Sequence, residues 1–490
     1  MNNQQSTVNN QRKTGADSAA FMSAYPTYRQ TAGIDKLRRR DFARLDEQKH
    51  IYLDYTGGGL YAESLIEKHS QLLRQSILGN PHSQNPASLA STQLVDQARE
   101  DVLHYFNADP DEYLVIFTAN ASSALKLLAE SYPFDENGHL LLVADNHNSV
   151  HGIREFARRK NACITYVPLD PKSLLVNEDE MKGYFESCAD SENKLIAFPA
   201  QSNFSGVQHP LDWIKRAHSY GFDVVLDAAA FVPTNRLDLG QIHPDFVPVS
   251  FYKMFGYPTG VGALLARKEA VAKLQRPWFA GGTVQIVSTK ADLYIMAGEH
   301  EAFEEGTVNY LNLPAISTGL QLLQETSIDT IHKRVMVLTS YLLQGLQQIA
   351  HSDGQQLVEI YGPTDANHRG GTIAFNLLDS TGVYFPFQQV EAEANLANIS
   401  IRAGCFCNPG AGEYSLTHVA EDVRRCVEES TVSDLFDFDA YRDCLGDKAT
   451  GAVRVSLGLV SNFEDVSHFL DFLAGFRDRT ADDSYAERGC

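Results

Sequence analysis

The stretch SFYKMFGYPTGVG, residues 250–262, is the most informative part of the chain, and it places a single lysine, Lys253, between two kinds of structure. The apolar run DFVPVSF (245–251) predicts a buried strand, and the glycines after the lysine predict a tight loop. A lysine that loses solvation there has a lowered pKa, which makes it a usable amine nucleophile. Taken alone, Lys253 is more often an ordinary surface lysine, so its role depends on its surroundings.

Upstream of Lys253, short apolar runs alternate with helix-like stretches. Each run is followed by a polar loop and then by an amphipathic pattern, such as SSALKLLAES from Ser122, and this alternation predicts parallel βαβ units. The strand candidates are YLVIF (113–117), LLLVA (140–144), LIAF (195–198) and DVVL (223–226). This part of the chain is therefore predicted to be α/β, with a mostly parallel sheet between helices.

The composition divides the chain into regions. Residues 1–20 are polar and poor in aromatics, which predicts a disordered tail. Residues 21–60 are expected to pack on a smaller domain, and residues 61–325 to form the large domain. The stretch 313–350 is expected to be one long helix through the junction. Residues 326–490 are predicted to form a smaller α+β domain, with strands in GGTIAFNLL and VRVSLGL and an acidic, irregular insertion or lid near 413–449.

Polar residues follow several predicted strands at the point where each strand ends, and in open α/β sheets such positions converge on a ligand crevice. TANASSA places Ser122 at a helix N-terminus, which suits a phosphate or simply caps the helix. His147, after LLLVA, could lie over a flat ring, although a lone histidine is more often structural. Asn203 follows LIAFPAQ, and Asp227 follows DVVL, where an Asx turn is the common alternative.

Asp227 and Lys253 together indicate a particular cofactor. A carboxylate at the tip of a buried strand requires a charged partner. The protonated ring nitrogen of pyridoxal phosphate (PLP) is such a partner, and the carboxylate keeps the ring an electron sink. The ordered set TANASS, NHNS, SNFSG, LDAAA and SFYKMFG supplies suitable residue types for such a cofactor. We therefore predict PLP.

A second motif, RAGCFCNPGAG (402–412), places Cys405 and Cys407 on a loop bounded by glycine and proline. A metal site is disfavoured, because the pair needs two further ligands and no second cluster has suitable spacing. A structural pair of thiols or a redox disulfide is one alternative. The other is a catalytic thiolate that attacks the sulfur of a substrate and becomes a persulfide.

The overall charge and the cysteine content exclude several classes of protein. The net charge of −21 argues against a nucleic-acid partner, which requires a basic face. No apolar run is long enough for a membrane span, and the N-terminus does not resemble a signal peptide. Seven cysteines in a chain of 490 residues do not form a disulfide scaffold. A cytoplasmic, reducing location is expected.

The order and spacing of these motifs resemble the class V aminotransferases of PLP fold type I, which include the cysteine desulfurases. The resemblance is greatest to the PLP-dependent N-terminal domain of the molybdenum cofactor sulfurases. It spans about residue 45 to about residue 475. Its most specific pieces are SFYKMFGYPTGVGALL, FEEGTVNY, RAGCFCNPGAG and VRVSLG.

This resemblance implies a role for each matching residue. Lys253 would be the Schiff-base lysine, Asp227 the partner of the pyridine nitrogen, and His147 the residue stacked on the ring. Asn203 would reach the ring hydroxyl, and Cys407 would be the nucleophile. The phosphate would be bound by Ala121, Ser122, Ser250 and Tyr252, with Thr307 reaching the phosphate of a neighbouring subunit in a homodimer. The substrate carboxylate would be received by Arg454, with Arg402 orienting the substrate or the Cys407 thiol.

Two positions depart from the simpler desulfurases, because Ala230 stands for a glutamine and Tyr252 for a histidine, and Gly412 stands where the molybdenum cofactor sulfurase branch often has a third cysteine. The first two changes are typical of the molybdenum cofactor sulfurase branch. The chain ends soon after FLDFLAGFRDR, so delivery of sulfur to a molybdenum cofactor is not implied.

The expected reaction is desulfuration of L-cysteine, with an acceptor that the sequence does not identify. The alternatives are a PLP-dependent lyase, epimerase or aminotransferase, and a non-catalytic sulfur-handling protein.

Overall fold

The computed structural model describes residues 17–189, 191–432, 435–446 and 449–481. The N-terminal elements are helix α1 (17–24), a 3₁₀ turn (Pro26–Thr31), α2 (Ala32–Asp41), α3 (Ala43–Glu47), strand β1 (Ile51–Tyr52), α4 (Glu63–Gln75) and α5 (Pro86–Tyr105). The predicted tail lies largely outside the described residues, but 17–20 are helical, so the prediction of disorder is wrong there. Phe21 explains the difference, because its buried ring packs against Tyr28 and Phe463 and anchors the helix.

A seven-stranded sheet forms the centre of the large domain. Its strands are β2 (Tyr113–Thr118), β3 (Gly138–Val143), β4 (Cys163–Val167), β5 (Glu192–Pro199), β6 (Phe222–Asp227), β7 (Phe246–Ser250) and β8 (Gly262–Arg267), in the order β2-β8-β7-β6-β5-β3-β4. Strand β8 is antiparallel to both of its neighbours, and the other pairs are parallel.

Helices cover both faces of this sheet, which explains why its strands are continuous apolar runs. In β3, Leu141 and Val143 join one core, whereas Leu140 and Leu142 join the other. The helices between the strands are α6 (Ala121–Ser131), α7 (Asn148–His151), α8 (Ile153–Arg159), α9 (Glu178–Ser187), α10 (Trp213–Ser219), α11 (Phe251–Phe255) and α12 (Lys268–Val271).

The chain then leaves the sheet and reaches the predicted junction. A hairpin of β9 (Val284–Ser288) and β10 (Leu293–Met296) precedes a 3₁₀ turn (Glu299–Phe303) and two helices, α13 (Pro314–Thr326) and α14 (Ile328–Gln348). The prediction of one continuous helix over 313–350 is wrong. Ser327 has φ +68°, a left-handed conformation that interrupts the helical path between α13 and α14.

The smaller domain is built on a four-stranded antiparallel sheet. Its strands are β11 (Val358–Tyr361), β12 (Thr372–Leu377), β14 (Arg402–Gly404) and β17 (Ala452–Ser456), while β13 (Ile399–Ser400) pairs in parallel with β1. Helices α15 (Phe387–Leu396), α16 (Pro409–Ser415) and α19 (Phe463–Ala474) accompany them. Arg38 on α2 forms a buried ion pair with Asp465 on α19. The domain boundaries themselves stay a prediction.

The acidic segment near 413–449 is more regular than the sequence indicates. It contains α17 (Ala420–Glu429), strands β15 (Thr431–Val432) and β16 (Leu435–Phe436), and α18 (Phe438–Leu445). A disulfide between Cys426 and Cys444 joins α17 to α18, so these two cysteines are not free thiols. Among the described residues, no helix is both long and apolar enough to cross a bilayer.

Candidate active site

A cavity of about 200 Å³ opens where β2, β5, β6 and β7 end, at the carboxyl edge of the large sheet. This is the position that α/β sheets use for ligands. Eight of the nine residues predicted to bind the cofactor line this cavity, which also includes Asn120, Ser149, Gln201 and Ala230. The eight are Ala121, Ser122, His147, Asn203, Asp227, Ser250, Tyr252 and Lys253.

Lys253 lies on α11, the short helix that begins directly after β7. The helix ends at Gly256, whose φ of +81° is left-handed, and a Cβ there would clash with the carbonyl carbon of Leu60. A Cβ on Gly59 would likewise crowd the Lys253 carbonyl oxygen, at 2.9 Å. The N-terminal segment therefore encloses the lysine, and this burial lowers the pKa of Lys253 while the Asp227 carboxylate partly offsets the effect.

Asp227 and His147 provide the other two groups for a flat charged ring. Asp227 ends β6 and accepts a hydrogen bond through Oδ1 from the backbone N–H of Ala229 at 3.0 Å, so the Asx-turn alternative is also realised. His147 precedes α7, and its Nδ1 accepts from the backbone N–H of Ser149 at 3.1 Å. Burial lowers the pKa of His147, although the Asp227 carboxylate acts to raise it. The lowered pKa favours a neutral imidazole.

The N-terminus of α6 forms the end of the cavity that suits an anion. Asn120, rather than Ser122, caps this helix of 11 residues, because the Asn120 side chain accepts from the Ser123 N–H. The backbone N–H of Ala121 donates to Ser250 Oγ at 2.9 Å, and the hydroxyls of Ser122 and Ser149 lie 2.6 Å apart. Three hydroxyls thus surround a helix N-terminus.

The chemistry of these groups fits PLP. The Lys253 amine, with its lowered pKa, suits the aldehyde, and the Asp227 carboxylate suits the ring nitrogen. The His147 imidazole suits the ring face, and the N-terminus of α6 suits the phosphate. These four features lie around one cavity although they come from four separate strand ends.

The Cys405–Cys407 loop, residues 405–408, connects β14 to α16. Phe406 and Cys407 have φ values of +55° and +54°, and two successive non-glycine residues in this region are strained. Several hydrogen bonds compensate for the strain. The Cys407 carbonyl accepts from the Asn148 N–H at 2.7 Å, and Asn408 Nδ2 donates to the Asp145 carbonyl at 2.7 Å. Both cysteine side chains are exposed.

Asn203 connects this loop to the cavity wall. Its Nδ2 donates to the Phe406 carbonyl at 2.7 Å, and its Oδ1 accepts from Asn408 Nδ2 at 2.9 Å. The sequence predicts that Asn203 reaches the ring hydroxyl, but both polar atoms of its amide are engaged by the loop. Its assignment as a cofactor ligand stays a prediction.

The two arginines predicted to bind substrate share one carboxylate that the sequence analysis missed. Asp54 accepts from Arg454 Nη2 at 2.9 Å and from Arg402 Nη2 at 2.7 Å. Arg454 is buried, and burial lowers its pKa while Asp54 raises it. Arg402 is half-exposed, and its contacts are with Asp54 rather than with the Cys407 thiol. The sequence signal that could have indicated Asp54 is its position directly after the apolar residues of IYLDY (51–55).

Thr307 is the one predicted cofactor residue that does not line the cavity. It is exposed and lies in the segment between the 3₁₀ turn at Glu299–Phe303 and α13. Its predicted role depends on a second copy of the chain, which a single chain does not test.

The fold and this site define the class of protein, and comparison with known proteins agrees. Residues 51–469 match the model of the class V aminotransferases. The chain belongs to that family, and the prediction of a PLP-dependent enzyme is thereby confirmed.

Among curated relatives, the chain is 36% identical to the molybdenum cofactor sulfurase of Solanum lycopersicum over 92% of its own length. It is 34% identical to the human molybdenum cofactor sulfurase over 91% of its length. The chain spans only 58% and 51% of these two relatives, a little over half.

Solved structures support the fold class. An apo cysteine desulfurase from Thermococcus onnurineus NA1 superposes with a TM-score of 0.75 at 21% identity, covering 90% of this chain and 97% of that chain. A C-DES mutant with glycine covalently linked to its PLP cofactor gives a TM-score of 0.66 at 16% identity, covering 89% and 98%. The predicted fold class, a large domain with a mostly parallel sheet and a smaller α+β domain, is confirmed.

Proposed function

We propose that the protein is a PLP-dependent cysteine desulfurase that converts L-cysteine into L-alanine and leaves the sulfur as a persulfide on Cys407. One observation carries this proposal. The exposed Cys407 thiol lies on a loop that is hydrogen-bonded to Asn203, a wall residue of the Lys253 cavity. The relatives named as molybdenum cofactor sulfurases support the same chemistry.

Each wall residue has a proposed task in holding the cofactor. Lys253 would hold it covalently through Nζ, Asp227 would bind the ring nitrogen, and His147 would lie on the ring. Ser122, Ser250 and Tyr252 would surround the phosphate with the Ala121 end of α6. Bound PLP supplies an electron sink next to the substrate α-carbon.

Lys253 is also the proposed carrier of the α-proton, because burial lowers the pKa of its amine and so favours the neutral form that can accept a proton. Tyr252 occupies the position where simpler desulfurases have a histidine. Burial raises the pKa of Tyr252, so its hydroxyl would donate a hydrogen bond rather than act as a base.

The sulfur transfer balances without an added oxidant. The Cys407 thiolate forms a bond to the substrate sulfur while the bond between that sulfur and the substrate Cβ breaks. The electron pair of the broken bond remains with the amino acid, which takes up a proton and leaves as alanine. The Cys407 thiol must therefore be reduced at the start of each turnover.

We also propose that the active protein is a homodimer. The hairpin of β9 and β10 exposes a group of large apolar side chains, as interfaces do. They are Ile286, Val287, Leu293, Tyr294 and Ile295. This surface precedes Thr307 in the chain, consistent with Thr307 reaching the phosphate held by a second copy. Light scattering of the purified protein should give twice the chain mass.

The decisive experiment compares two matched serine variants. Cys407→Ser should retain PLP absorbance and lose alanine formation from L-cysteine by at least about a hundredfold, because a hydroxyl is a poor sulfur nucleophile. Cys405→Ser, two positions away on the same loop, should stay within about threefold of the wild type. Normal alanine formation by Cys407→Ser would refute the assignment. Release of pyruvate instead of alanine would identify a lyase.

A further inference from the structure

The Arg454 guanidinium, which would receive the substrate carboxylate, is covered on several sides. Its side chain is 3% exposed. Nη1 donates to the Asn203 carbonyl at 2.9 Å, Nη2 donates to Asp54, and the Phe406 ring lies 4.8 Å from the guanidinium carbon. Within the described residues, Nε has no hydrogen-bond partner. The arginine thus retains an unused buried donor while its guanidinium carbon lies over an aromatic ring.

Phe406 differs from the other two groups that cover Arg454. Asp54 is fixed by a second arginine, Arg402, and the Asn203 contribution is a backbone carbonyl. Phe406 instead belongs to the Cys405–Cys407 loop, and its backbone is in the strained left-handed region. Of these three groups, the ring is therefore the one carried by a loop with a strained backbone.

Phe406 is also the direct neighbour of Cys407, so movement of its ring and movement of the thiol are linked. The carbonyls of both residues are fixed by hydrogen bonds, from Asn203 Nδ2 and from the Asn148 N–H. A displacement of Phe406 would disturb both bonds and change the position of the Cys407 side chain.

We infer that Phe406 is a specificity-determining gate, whose ring must leave the Arg454 guanidinium before a substrate carboxylate can bind there. This inference rests on the proposed function, because it assigns the carboxylate of the amino-acid substrate to Arg454. An amine without a carboxylate gains nothing from displacing the ring. The gate thereby couples recognition of an α-amino acid to the position of the sulfur-accepting thiol.

The ring–guanidinium contact and the carboxylate compete for the same cation. A cation–π contact of this kind is modest, whereas a charge-assisted bidentate hydrogen bond to a carboxylate is stronger. The substrate can therefore displace the ring, but at the expense of some affinity. Removing the ring should consequently strengthen carboxylate binding, which is the opposite of what loss of an ordinary core residue would do.

Two ligands that differ only in the carboxylate test this inference. L-alanine and ethylamine are titrated into PLP-loaded protein, and dissociation constants are obtained from the change in cofactor absorbance. Phe406→Ala should bind L-alanine about fivefold more tightly than the wild type, while binding of ethylamine stays within about twofold. Phe406→Leu keeps apolar packing against the neighbouring Phe204 and should show the same selective change.

Phe204→Leu is the matched control, because the Phe204 ring packs on Phe406 at 5.3 Å, whereas the arginine contact belongs to Phe406. The Phe204→Leu variant should not selectively strengthen the binding of L-alanine. Hydrogen exchange gives a second readout that is independent of turnover. L-alanine, but not ethylamine, should accelerate amide exchange across residues 405–408 in the wild type.

The outcomes separate the gate from the proposed function. Unchanged or weaker binding of L-alanine in both Phe406 variants, or equal tightening of both ligands, would overturn the gate. Loop exchange that is unchanged or slowed by L-alanine would also overturn it. If Arg454→Lys fails to reduce the preference for L-alanine over ethylamine, the carboxylate is bound elsewhere, and the proposed substrate site itself is wrong.

Discussion

The cavity wall and the Cys405–Cys407 loop meet at Asn203, yet they are built in different ways. The wall consists of residues that each follow a strand of the large sheet, so their positions are fixed by the sheet. The loop comes from the small domain and has two strained residues that are held by hydrogen bonds from the wall. The wall is suited to binding a cofactor rigidly, and the loop to carrying a thiol that changes position.

This difference between the wall and the loop predicts that substitutions in the two regions affect different steps of the proposed reaction. Changes in the wall should affect cofactor binding and proton transfer. Changes around the loop should affect substrate recognition and the fate of sulfur while leaving the cofactor in place.

Lys253→Ala should have the largest effect in the wall. Without the amine, the protein should lose both the covalent cofactor linkage and the α-proton carrier, so alanine formation should fall at least about a thousandfold. Absorbance spectra before and after dialysis measure the linkage. Lys215→Ala, an exposed lysine on α10, should behave as the wild type. Retention of the wild-type cofactor spectrum by Lys253→Ala would show that another residue forms the linkage.

Asp54→Asn tests the connection between the two regions. The carboxylate neutralises the buried Arg454, so its removal leaves a buried charge without an ionic partner. The free energy of unfolding in urea should decrease by about 3 kcal/mol. Asp329→Asn removes the partner of Arg236 in an exposed pair and should cost about 0.5 kcal/mol or less. Equal losses in the two variants would mean that the Asp54 bridge does not stabilise the fold.

The smallest predicted effect is the shift that Asp227→Asn should produce in a pH profile, apart from the loss of its proposed contact to the ring nitrogen. The Asp227 carboxylate raises the pKa of Lys253, so its neutralisation should lower that pKa further below 10.5. The neutral amine would then persist to lower pH. The midpoint of the pH dependence of PLP binding to apoprotein, followed by absorbance, should consequently move to lower pH than in the wild type. A midpoint that moves upward would contradict the placement of Asp227 beside Lys253.

The wall could be predicted from the sequence because its signals are local. Ser122, His147 and Asp227 each lie within five positions of the end of an apolar run, and the sheet then brings the strand ends together. The position of Lys253 after a strand follows the same logic. Family resemblance added the assignment of roles to these positions.

The contacts around the loop could not be predicted, because they join residues that are distant in the chain. Asp54 and Arg454 are separated by 400 positions, and Asn203 and Phe406 by 203. Neither pattern nor composition indicates that Arg402 and Arg454 share one carboxylate. The helical 17–20, the interruption at Ser327 and the Cys426–Cys444 disulfide were missed for the same reason, since tertiary packing decides each of them.

Mass spectrometry of the purified protein after incubation with L-cysteine tests the central claim most directly. The peptide that contains both loop cysteines should become heavier by one sulfur atom, and fragmentation should place that atom on Cys407. The addition should persist in Cys405→Ser and disappear in Cys407→Ser and in Lys253→Ala. A sulfur atom located on Cys405, or a peptide of unchanged mass while alanine accumulates, would contradict the account.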